Sequence, residues 1–149
     1  MATTIGSQRE GVRLQRSLTL PNDVGAIPLL GGFIDAICED AGVDMAMAMT
    51  LNLAMEEAVV NVMLYAYPEG TKGDVGIDAC VSDDAMTFII SDTGMPFDPT
   101  AQKDADITLP VEERPIGGLG IHLIREIMDN VSYDYVDRHN VLTLTKNIT

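Results

Sequence analysis

The ordered part of the chain opens on a two-residue rhythm. Leu14, Leu18 and Leu20 alternate with Arg13, Gln15, Ser17 and Thr19, which predicts a half-buried strand whose apolar phase is broken by Arg16 alone. Residues 1–11 before it are polar and patternless and are expected to form a flexible N-terminal arm. Pro21-Asn22-Asp23 reads as a turn and helix start. Ile27, Leu30, Ile34 and Ile37 then recur at helical spacing, on a helix expected to end near Gly42 although Gly31 and Gly32 weaken it. Asp44 is placed to cap a longer helix running to Ala66, with Leu51, Met55, Ala58 and Val62 along one stripe and Pro68 and Gly70 beyond its end. The methionines of this helix, Met45, Met47, Met49, Met55 and Met63, are expected to fill gaps in a core.

Strands over 75–81 and 85–91 follow, joined by Ser82-Asp83-Asp84. From 93 to 116 the pattern lapses into four prolines and scattered charges, longer than an ordinary connection, so a functional loop or lid is expected there. Gly117-Gly118-Leu119-Gly120 leads into a helical stripe of Ile121, Ile124, Ile127 and Met128. Strands over 131–137 and 141–146, with a turn at Arg138-His139-Asn140, close the chain. Paired hairpins without repeated βαβ units predict an α+β fold, a two-layer sandwich whose mixed, mainly antiparallel sheet carries helices on one face. The 149 residues suit one core, so 12–149 is read as a single domain.

Charge narrows the choice of ligand. Against 23 Asp and Glu stand 9 Lys and Arg, a net charge of −14, which repels a phosphate backbone and argues against nucleic-acid binding. An anionic ligand would need local help from a metal, backbone N–H groups or a few cations. Cys38 and Cys80 fit neither a metal clip nor a disulfide framework and read as reduced thiols. No uninterrupted apolar run of bilayer length and no leader-like stretch is evident, so a soluble, cytoplasmic protein without membrane contact is expected.

Three segments carry candidate chemistry. Glu57 and Asn61 lie four apart and so share one helix face, where Asn can offer Mg an oxygen and Glu can orient or deprotonate a hydroxyl; such pairs are more often plain solvated surface. Asp92-Thr93-Gly94 follows an apolar strand, where a carboxylate can accept from an amino group such as that of adenine and a glycine permits close approach; the plain alternative is a turn. The glycines at 117, 118 and 120 precede a helix, where free N–H groups can point at phosphate, yet they fit neither the phosphate-binding P-loop nor a dinucleotide fingerprint.

In order, Glu56-Glu57-Ala58-Val59-Val60-Asn61 resembles the N box of the GHKL ATPases, Asp92-Thr93-Gly94 their first glycine box and Gly118-Leu119-Gly120 their second. The forms Asp-x-Gly-x-x-Phe-Asp-Pro and Gly-Gly-Leu-Gly-Ile are most similar to the bacterial anti-sigma-factor serine/threonine kinases, over residues 12 to 147. The resemblance implies a Bergerat-type ATP-binding fold and ATP and Mg as cofactors. It implies Glu57 as general base, Asn61 as Mg ligand, and Asp92 with Gly94 at the adenine. Gly117, Gly118, Leu119 and Gly120 would lie at the phosphates, Arg114 would balance phosphate charge from a lid over 93–116, and Thr143 matches, more weakly, a threonine near the adenine. The implied partners are a sigma factor and a STAS-type antagonist protein, with a homodimer also allowed. An alternative is a nucleotide-gated binding module that transfers no phosphate. Pro96 stands where the wider superfamily has a second glycine, which stiffens the near end of the lid.

Overall fold

A computed structural model of the protein describes residues 12–101 and 118–148. The expected N-terminal arm, the far part of the expected lid, Arg114 and Gly117 lie outside the described residues. Strand β1 spans Val12–Pro21, and a 3-10 turn at Val24–Ala26, capped by the Asp23 side chain, feeds helix α1, Ile27–Ala41. Helix α2 spans Met45–Tyr65, β2 Asp74–Ser82, β3 Ala85–Asp92, α3 Gly118–Ile127, β4 Asn130–Val136 and β5 His139–Asn147. A second 3-10 turn occupies Pro99–Ala101.

The five strands form one sheet in the order β1-β2-β3-β5-β4. Every described pairing is antiparallel, so the mainly antiparallel α+β sheet expected above is found, with no parallel pair among the described strands. Register follows from the two-residue period, which sends alternate side chains to opposite faces. One row across the sheet is Leu18, Ile77, Ile90, Leu142 and Tyr133, all on the face covered by the helices. The neighbouring row, Ser17, Asp78, Ile89, Thr143 and Ser132, points to the other face, which none of the described helices covers. Arg16 does fall on the helix side, opposite Ala79, and its guanidinium pairs with Asp40 at the end of α1, which explains the break in the apolar phase.

Two caps set the helical layer. Gly42 ends α1 with φ 75°, a left-handed conformation that costs glycine little, while the Val43 N–H returns to Cys38 O at 2.9 Å. Two residues later the Asp44 side chain accepts from Met47 N at 2.8 Å and starts α2. Leu51, Met55, Ala58, Val59 and Val62 of α2 are buried, joined in the core by Leu30, Ile34 and Ile37 of α1 and Ile121 and Ile124 of α3. Met55 and Met63 fill the core as expected. Met45 and Met49 do not, standing 78% and 67% exposed because they lie on the face of α2 turned from the sheet. By length and average composition alone α2 could cross a bilayer, with a mean hydropathy of 1.2 over an 18-residue window, but Glu56 and Glu57 interrupt its apolar run and 44% of that window is buried inside the fold. Its buried stripe is the centre of the sandwich.

The closing hairpin turns at Asp137 and Arg138, whose φ values of 52° and 66° give the twist that two-residue hairpins favour. That places Asn140 inside β5, one residue past the strand's start, and not in the turn expected at 138–140.

Candidate functional site

The core row next to Ile90 and Leu142 ends the apolar pattern with two polar residues, Asp92 on β3 and Asn140 on β5, directly opposite one another. Both are buried, each 3% exposed. A buried polar pair on an otherwise apolar face is costly unless its hydrogen bonds are met. Asp92 Oδ1 accepts from Gly94 N at 2.8 Å and from Asn140 Nδ2 at 2.9 Å. Asp92 Oδ2 is buried with no hydrogen-bond partner among the described residues. Burial pushes the Asp92 carboxyl above its ordinary value, against the opposing pull of the Asn140 and Gly94 donors. The structure has thus buried an acceptor that it leaves bare, which suits a ligand bringing an N–H donor.

The loop after β3 is tied to the end of α2. Met95 N donates to Ala66 O at 2.6 Å, and a β-carbon on Gly94 would stand 2.4 Å from that same carbonyl oxygen, so only glycine fits. The close approach is therefore between loop and helix backbone. Tyr67 supports the arrangement, with its hydroxyl donating to Asp74 O at 2.7 Å and accepting from Thr93 N at 3.2 Å. Beyond the loop, Phe97 lies against Tyr65, ring centroids 5.6 Å apart, and Arg125 of α3 donates to Thr100 O at 2.6 Å.

Helix α2 carries Glu57 and Asn61 one turn apart, Asn61 only 7% exposed. The first turn of α3 comes up against them: a β-carbon on Gly120 would meet Glu57 Oε2 at 3.0 Å and Asn61 Nδ2 at 3.2 Å. Glu57, Asn61 and Gly120 line one open pocket of about 310 Å³ with Val60, Leu64, Tyr65 and Leu123. Gly118 and Leu119 begin the same turn, where the N–H groups of a helix N-terminus are unpaired and attract anions. Among the described residues no three His, Cys, Asp or Glu side chains gather as a metal cluster.

Thr143 lies apart from this constellation. It faces Ile89 and Ser132 on the uncovered side of the sheet, opposite to the face that bears Asp92, and its assignment to an adenine site is corrected. The β5 residue in contact with Asp92 is Asn140, which sequence reading missed. Its signal was a polar residue in phase with Leu142 and Leu144 on a buried strand face.

Comparison with known proteins adds to the geometry. The family described as histidine kinase-like ATPase domain matches residues 20–146. The chain is 35% identical to the serine-protein kinase RsbW of Halalkalibacterium halodurans over 100 residues, covering 64% of this chain and 60% of that protein. It is 29% identical to the serine-protein kinase RsbW of Listeria monocytogenes over 119 residues, 77% of this chain and 75% of that one. With the Bacillus cereus protein of the same name, identity is 32% over 102 residues, 66% and 62% of the two chains. Against the Halalkalibacterium and Bacillus proteins the chain spans about three fifths of the relative's length, 60% and 62%.

Proposed function

Because the chain belongs to the histidine kinase-like ATPase domain family, we propose that it is an ATP-dependent protein-serine kinase and anti-sigma factor. In this reading it phosphorylates a small STAS-type antagonist protein and sequesters a sigma factor when that antagonist is absent, in the cytoplasm. The observation that carries the nucleotide part is the bare, buried Oδ2 of Asp92, an acceptor for the adenine amino group. The name shared by the relatives supports the kinase part.

Each residue has a definite task. Asp92 reads the base, while Gly94 brings its loop against Ala66 and so fixes the carboxylate. The N-terminal turn of α3, with Gly118, Leu119 and Gly120, receives the phosphates, and Gly117 and Arg114 extend that role into the segment before it. Glu57 accepts the proton of the attacking serine hydroxyl. Asn61 is the protein's ligand to Mg; with no carboxylate cluster among the described residues, phosphate oxygens and water would complete the metal's shell, as is usual for this ion. When bound, Mg neutralises charge that develops on the transferred phosphoryl group. Residues 93–116 serve as the lid, on the strength of their length, their four prolines and their place between the base and phosphate sides.

The test is transfer from γ-labelled ATP to a STAS-type antagonist protein. Label on a serine of that protein, dependent on Mg and lost in Glu57→Gln, is the expected result. Tight nucleotide binding with no transfer to it would favour the nucleotide-gated binding module instead.

A further inference from the structure

Asn140 does more than neutralise a buried neighbour. Its Nδ2 donates to Asp92 Oδ1 at 2.9 Å and to Met95 O at 2.8 Å, and its Oδ1 accepts from Phe97 N at 2.9 Å and from the Tyr133 hydroxyl. All four bonding positions of the amide are used. A flipped amide would set its oxygen against a carboxylate and a carbonyl and its NH2 against an N–H, so the orientation is fixed by its partners. Together with Gly94 N, Asn140 fills both lone pairs of Asp92 Oδ1 and leaves Oδ2 as the single acceptor.

A carboxylate with both oxygens open suits a ligand with two parallel donors, which it takes in a bidentate grip. Guanine offers such a pair, its ring N1–H beside its exocyclic amino group. Adenine offers one amino group beside a ring nitrogen that only accepts. We propose that Asn140 determines base specificity by reducing Asp92 to a one-oxygen acceptor, which admits adenine nucleotides and discriminates against guanine nucleotides. This rests on reading Asp92 as the base contact.

The experiment is displacement of a fluorescent ADP analogue by ADP and by GDP, on wild type, Asn140→Ala and Asn140→Ser, with thermal melts to confirm folding. The serine variant keeps a hydroxyl at the position should the alanine variant fail to fold. Wild type should prefer ADP. In the variants the ratio of GDP to ADP dissociation constants should fall by about tenfold or more, the worth of one hydrogen bond to a charged group. A purely structural role would weaken both nucleotides together and leave the ratio unchanged. An unchanged ratio in a folded variant overturns the inference while the site stands, whereas a wild type that binds neither nucleotide overturns the reading of Asp92 beneath it.

Discussion

Replacing Asp92 with asparagine alters one atom of the site and reverses its polarity toward a base. Gly94 N and Asn140 Nδ2 both donate to Oδ1, at 2.8 and 2.9 Å, so the new amide must keep its oxygen there and place its nitrogen where Oδ2 was. A donor then faces the adenine amino group. The lost bond is one to a charged acceptor, about 1.5–3 kcal/mol, which raises the dissociation constant for ADP roughly 10- to 150-fold. The contact is made equally in ground and transition states, so transfer at saturating ATP should change far less. Stability should move the other way. With its folded-state value raised by burial above the ordinary 3.8, Asp92 favours the fold most below the unfolded value, and that contribution is lost as pH rises through the folded one. Asp92→Asn removes this loss, so the unliganded variant should be no less stable than wild type at neutral pH and should gain on it across that acidic window. Calorimetric titration with Mg-ADP and urea melts from acid to neutral pH measure both effects. Undiminished ADP affinity, or a variant that binds normally but is markedly less stable, would refute the reasoning.

Glu57→Gln should keep ADP affinity while lowering transfer by about two to four orders of magnitude, measured by single-turnover transfer from labelled ATP. Asn61→Ala should chiefly remove the part of nucleotide affinity that depends on Mg, seen as a smaller difference between titrations with Mg and with chelator. Gly94→Ala puts a β-carbon 2.4 Å from Ala66 O, a backbone atom that cannot yield cheaply, and should cost about 1–3 kcal/mol in a urea melt as well as weakening ADP.

The elements were legible because their periods are clean: the alternation through β2 and β3 and the caps at Asp44 and Gly42 each have one reading. Glu57 and Asn61 could be paired from helix spacing, and the structure brings them to Gly120. Asn140 escaped because β5 was started at 141, two residues late, and a residue assigned to a turn is not asked which sheet face it occupies. Thr143 was misplaced for a related reason, since the threonine implied by resemblance carried no register, and strand parity puts 143 out of phase with 140. The close contact that demands glycine at 94 is tertiary, made to the end of a helix 28 positions earlier, and nothing local announces it. Exposed Met45 and Met49 were misjudged because α2 is apolar on nearly every side, leaving its outward face unmarked in the pattern.

The location of the nucleotide is best tested by following backbone amide resonances of the labelled chain during titration with Mg-ADP. Asn61, Asp92, Gly94, Gly120 and Asn140 should shift together and saturate at one equivalent. Thr87, Ser132, Thr143 and Thr145, on the uncovered sheet face, should hold their positions. An absence of shifts at millimolar nucleotide, or shifts gathered around Thr143 while Asp92 and Asn140 stay still, would contradict the account.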